Sequence, residues 1–160
     1  MTTQQPQAQQ PPSVTLTDMK LTDEIKEMIN NAFVPAGKPV MFAYVDEEGQ
    51  PALSFRGSTR AHSDDQLAVW VRNPEGGLMK ALGKNNRVSL LYRDPETRAR
   101  LIFRGKGRID SNDAVREKLY NEMPERERSA DPDKKGMALI IDLDRVDGFM
   151  PGFRAQMRRQ

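Results

Sequence analysis

Residues 85–109 read NNRVSLLYRDPETRARLIFRGKGRI, and the fold turns on how this stretch is taken. In RVSLLYR, residues 87–93, Val88, Leu90 and Tyr92 alternate with their neighbours, the period of two that turns one face of a strand inward. DPET is a turn, and RARLIFRGKGRI, residues 98–109, returns as the second member of an antiparallel pair. Arg98, Arg100, Arg104 and Lys106 give that member a basic, solvated side.

The same period appears on both sides of this hairpin. PVMFAYV, the turn DEEGQ and PALSFRGS predict a first hairpin over residues 39–58, QLAVWVR at 66–72 another strand, and GMALIIDLDRV at 136–146 a last one. Helical spacing occupies the intervals. In TDEIKEMINNAF, Thr22 caps a helix whose apolar face is Ile25, Met28, Ile29, Ala32 and Phe33. NPEGGLMKALGKN reads as a short helix capped by Asn73, with Pro74 at its first position, and SNDAVREKLYNEMPERER as a third helix interrupted at Pro124. Six mostly hairpin-connected strands with short helices predict a mainly β fold with α elements, an antiparallel set that curls into a split barrel and so avoids open edges. Residues 1–15 read as a disordered Gln/Pro-rich tail, 16–150 as the folded domain and 151–160, ending FRAQMRRQ, as a basic frayed tail. MPERERSADPDKK, dense in both signs, reads as a solvated helix end and loop.

Composition narrows the chemistry. The 160 residues are 37% hydrophobic and 30% charged, with 25 basic side chains nearly matched by 23 acidic ones, a balance that gives no reason to expect nucleic acid. Without cysteine there are no disulfides, thiolate nucleophiles or cysteine-held metals. The single histidine, His62, in a polar loop, supplies neither a multi-histidine metal site nor a hydrolytic triad, and it is read as a surface residue. The N-terminus has no basic segment followed by an apolar core, and no run reaches spanning length, so a cytoplasmic protein without membrane association is expected.

The order of elements, with the phrases MFAYVDEEGQPALSFRG, LAVWVR, ALGKNNRVSLLYRD, FRGKGRI and ALIIDLDRVDGF, resembles the pyridoxamine 5'-phosphate oxidase-like proteins from about residue 18 to 148. These are split barrels that commonly bind flavin mononucleotide (FMN). The resemblance implies a homodimer with flavin sites at the interface, and an oxidoreductase passing reducing equivalents between FMN and a small substrate. A deazaflavin-dependent reductase and a non-catalytic module holding flavin or haem are the alternatives. It also implies that Arg56 seats the flavin phosphate, with Ser58 and Thr59 assisting and Lys80 as the helix cation, while Trp70, Val71 and Arg72 pass the ring. Two positions depart from the pattern: the family's helix lysine falls where this chain has Leu78, and its hydroxyl at the end of the third strand falls at Val71-Arg72.

The chemistry of SFRGSTR, residues 54–60, suits that role. A phosphate monoester carries up to two charges and three strong acceptor oxygens, and therefore needs convergent donors. The planar arginine fork gives two parallel hydrogen bonds where lysine gives a movable point charge. Against this stands a solvated barrel rim, which is how Arg60 is read. Trp70 is read first as core, with contact to a flavin as its second role. The C-terminal FMPGFRAQMRRQ lacks the extra basic and histidine residues of the true pyridoxamine phosphate oxidases.

Overall fold

The computed structural model describes residues 14–160. In chain order the elements are β1 (Val14–Asp18), α1 (Asp23–Asn30), β2 (Val40–Val45), β3 (Pro51–Arg56), β4 (Arg60–Ala61), β5 (Gln66–Val71), α2 (Gly77–Lys84), β6 (Arg87–Arg93), β7 (Arg100–Asp110), α3 (Asp113–Glu122), α4 (Glu125–Ser129), β8 (Met137–Met150) and β9 (Phe153–Arg158).

One strand explains why the barrel is split. At ~3.3 Å per residue, the 14 residues of β8 run for roughly 46 Å. β7 pairs along the full length, from Asp110↔Ala138 to Arg100↔Phe149, with a bulge between Arg104 and Gly105. On its other edge β8 changes partner: its first half, Met137 to Asp142, pairs with β5, and its second half, Arg145 to Met150, with β9. The sheet therefore runs β1-β9-β8-β7-β6-β2-β3, with β5 branching from β8 and carrying β4. All pairs are antiparallel except β1 with β9.

Period-two alternation fills the interior. Val88, Leu90 and Tyr92 from β6, Val40 and Phe42 from β2, and Leu101 and Phe103 from β7 are buried in one cluster. Full burial of a side chain such as Phe42 or Phe103 contributes about 2–3 kcal/mol. α1 closes one end: Thr22 accepts the Ile25 N–H at 3.3 Å, and Ile25 and Ile29 point inward. A second, smaller cluster lies outside the barrel, where Leu119, Tyr120 and Met123 cover Ala68, Trp70, Ala138 and Ile140.

The mainly β split barrel and its six sequence-read strands stand, and three strands are added. β9 replaces the expected frayed end: Ala155 and Met157 are buried while Arg154, Gln156 and Arg158 face out, an alternation hidden among basic residues. β1 begins at Val14, inside the stretch read as tail, and pairs with β9; residues 1–13 of that tail lie outside the described residues. β4 is only two residues long. The second helix starts at Gly77, because Asn73–Gly76 forms a turn in which Asn73 accepts the Glu75 N–H through its side chain and the Gly76 N–H through its backbone. Among the described residues no helix is long and apolar enough to cross a membrane.

Candidate cofactor site

β3 is the outer edge of the sheet, and its alternation separates two chemistries. Leu53 and Phe55 face outward, 68% and 64% exposed. Ala52, Ser54 and Arg56 face the other way and are half-buried. Arg56 ends the strand opposite Val40, and its guanidinium lies over the ring of Phe42 at 5.6 Å. Beyond it the chain is held close: a side chain at Gly57 would collide with Phe33 and with the carboxylate of Glu127.

The hydrogen-bond state of Arg56 is unusual. Among the described residues three arginines bury Nε without an acceptor: Arg56, Arg60 and Arg116. Arg60 still donates to the Asn30 carbonyl at 3.4 Å and has Glu122 at 3.9 Å. Arg116 donates to the carbonyls of Lys134 and Gly136 at 2.9 and 3.0 Å, with Asp113 at 3.7 Å. Arg56 has neither a hydrogen bond nor a carboxylate within 4 Å among the described residues. Two positions earlier, on the same face, the buried Ser54 hydroxyl also lacks a partner among the described residues. Burial holds the Arg56 pKa below its ordinary value, and the charge of Arg72 pushes the same way, while Tyr44 and Glu127 oppose. A buried polar group without a partner costs about 1–3 kcal/mol, more if charged. An anion here would relieve that cost.

The other sequence-predicted residues divide. Arg72, exposed at the end of β5, is the one whose charge reaches Arg56 and adds to the lowering that burial causes. Ser58 is buried, and its Oγ accepts the Trp70 N–H at 3.0 Å and lies 3.4 Å from the Trp70 carbonyl. Because Arg60 and Ala61 pair with Ala68 and Leu67, that hydroxyl extends the ladder where β4 has not yet begun. Thr59 is also buried and donates its hydroxyl to the Arg56 carbonyl at 2.7 Å. A phosphate needs donors, and both hydroxyl protons are directed at backbone carbonyls. Neither assists Arg56 in this arrangement.

Trp70 takes the core role. Only 4% exposed, its ring meets Tyr120 edge-on at 5.4 Å, carries Arg116 at 5.7 Å and donates its indole N–H to Asp131 at 2.8 Å. No open face remains for a flavin. Val71 points into the barrel core, so only its backbone is open to such a role. Lys80 is exposed on α2, without an ion pair among the described residues, and Leu78 and Ala81 take the inward positions.

Asp131 lies in the run read as solvated, yet it is 7% exposed. Its carboxylate accepts from Trp70, from the Lys135 N–H at 3.0 Å and from the Gly136 N–H at 2.9 Å. Those bonds and the Lys135 charge hold its pKa low against an opposing desolvation that is the largest single influence. Arg60, read as facing water, is half-buried against Asn30. Ser54 was missed, though its position two residues before Arg56 places it on the same strand face.

No family model matches the chain, and no curated protein matches it. Solved structures do. HupZ of Group A Streptococcus, in a form carrying V5 and hexahistidine tags, is 22% identical with a TM-score of 0.65, covering 84% of this chain and 98% of that one. A pyridoxamine 5'-phosphate oxidase-related, FMN binding protein from Nostoc punctiforme PCC 73102 is 16% identical with a TM-score of 0.63, covering 82% and 86%. This chain has the pyridoxamine 5'-phosphate oxidase-like split-barrel fold. General stress protein 26 from Bacillus anthracis str. Sterne, 17% identical with a TM-score of 0.60 over 85% and 99%, has it too.

Proposed function

We propose that this chain is a homodimeric FMN-binding oxidoreductase acting on a small substrate, with Arg56 and Arg72 holding the flavin phosphate. The observation that carries the reading is Arg56: a half-buried guanidinium with an orphaned Nε, no hydrogen-bond acceptor and no carboxylate within 4 Å among the described residues, in the field of a second arginine, Arg72. Ser54 Oγ adds a donor on the same face. The Nostoc protein of the same fold is described as FMN binding. Bound flavin would supply hydride chemistry without a protein nucleophile, which suits a chain with no cysteine and one histidine.

Homodimer formation is supported by the outward side of the edge hairpin. Leu53 and Phe55 stand in register with Ala43 and Met41 of β2, and Met41 with Leu91 of β6, an apolar strip that a second copy would cover. A yellow preparation releasing FMN, with Arg56→Ala binding FMN at least about tenfold more weakly, is the expected result. A protein that neither retains nor takes up FMN would overturn it. A deazaflavin or haem released instead would favour the corresponding alternative.

A further inference from the structure

One row of side chains crosses the outward face of the sheet from β3, at one edge, to β9, where Arg158 pairs in turn with Asp18 of the edge strand β1. Leu53 of β3 pairs with Ala43 of β2, Ala43 with Ser89 of β6, Ser89 with Arg104 of β7, Arg104 with Arg145 of β8, and Arg145 with Arg158 of β9. Three arginines on adjacent strands face one another directly. Like charges placed so are destabilising.

Their neutralisation is incomplete. Arg104, Arg145 and Arg158 all converge on one carboxylate, Asp147, with Arg104 at 3.2 Å and Arg158 at 2.8 Å. One negative charge against three positive leaves the cluster with an excess of two. Arg87, on β6, adds a fourth cation with no carboxylate within 4 Å among the described residues. Asp144, at the bulge, also lines this face and lies 3.9 Å from Arg159, so it offsets part of the positive charge.

The small residues in the middle of the row leave space in front of these cations. A cleft of about 440 Å³ opens there, with Ala43 and Ser89 among its lining residues, Val45 and Pro51 contributing apolar surface, and Arg87, Arg104 and Arg145 contributing charge. A volume of a few hundred Å³ holds a small organic molecule, and one charged end beside an apolar end sets its orientation. The cleft opens on the opposite side of the β2–β3 hairpin from Arg56, whose guanidinium lies over the core residue Phe42.

We infer that this cleft binds a small organic anion, a carboxylate or phosphate ester whose charged group meets Arg87, Arg104 and Arg145 and whose apolar body lies on Val45, Pro51 and Ala43. The site is distinct from the proposed flavin phosphate seat, and a second copy seated on the Leu53–Phe55 strip would border it at Ala43. Arginine recognises carboxylate and phosphate through the same fork, so both head groups are admitted.

The test is calorimetric titration of the full-length protein with phenyl phosphate, benzoate and neutral benzyl alcohol at low and high salt, alongside inorganic phosphate. Phenyl phosphate or benzoate should bind more tightly in low salt, and benzyl alcohol should not bind. The preferred head group distinguishes the two sources of the anion. Better binding of phenyl phosphate than of inorganic phosphate establishes the apolar half of the site. Arg87→Gln and Arg145→Gln should each weaken binding about tenfold, as loss of a charge-assisted contact does. Thermal melts separate lost binding from lost folding: the anion should raise the midpoint of the parent chain, and Arg145→Gln should keep or raise its own midpoint without anion. Equal binding by parent and both arginine variants would overturn the inference. So would an Arg87→Gln variant that changes the oligomeric state but binds phenyl phosphate as before, since the cleft would then serve contact between copies.

Discussion

Two arginines in this molecule meet an aromatic ring in half-buried surroundings, and they are treated in opposite ways. Arg116 lies over Trp70 with its terminal nitrogen fixed on two carbonyls, beside an indole whose N–H is taken by Asp131. Arg56 lies over Phe42 with no acceptor among the described residues, next to a Ser54 that also has none there, and within the field of Arg72. The first region joins α3 and the following loop to the barrel. The second holds positive charge that the protein's own hydrogen bonds leave unused. Buried polar groups are normally satisfied, so the contrast separates a structural cluster from the proposed ligand seat.

Breaking the structural side should have the largest effect. Trp70→Ala empties the centre of the outer cluster and should cost about 3–5 kcal/mol in urea unfolding. Asp131→Ala leaves the indole and the Gly136 amide without their acceptor and should cost about 2–3 kcal/mol. Ser58→Ala removes the ladder extension at Trp70 and should cost about 1–2 kcal/mol. Arg56→Ala should change stability by less than about 1 kcal/mol, since it loses a ring contact but also an unsatisfied donor. A loss from Arg56→Ala as large as that from Asp131→Ala would erase the contrast.

A closed ion pair supplies a smaller check. The Lys38 ammonium, 2.9 Å from Asp94, is the main reason the Asp94 carboxyl sits at about 2 instead of 3.8, with burial opposing and the Glu96 N–H assisting. A carboxyl lowered on folding stabilises the protein above its unfolded value, and that stability is lost as pH falls through the folded one. Asp94→Asn should therefore lower the thermal midpoint at pH 6, and the gap to the parent should close between pH 3.8 and about 2. A gap that stayed constant down to pH 2 would show that the pair contributes nothing through its charge.

The legible part of the fold was the part whose signal is local. Val88, Leu90 and Tyr92 alternate within five residues, and their burial follows from that period alone. β9 carries the same period but only two inward residues, Ala155 and Met157, between arginines, and its partners lie at residues 145–150 and 14–18. Asp131 could not be distinguished from its charged neighbours because Trp70, the partner that explains its burial, lies 61 positions away. The family resemblance singled out Arg56, whose buried Nε has no partner among the described residues, and the proposal rests on that open state. Ser58 and Thr59 sit beside it in sequence, but their hydroxyls turn to the backbone of Trp70 and Arg56, an orientation no spacing rule reveals.

Phosphate binding by Arg56 is tested most directly by comparing FMN with riboflavin, which lacks that group. Titrating both into the parent chain and Arg56→Ala measures what Arg56 contributes to the phosphate alone. The parent should prefer FMN, and Arg56→Ala should reduce that preference by at least about tenfold. A preference for FMN that survives unchanged in Arg56→Ala would contradict the assignment of Arg56 as the phosphate ligand.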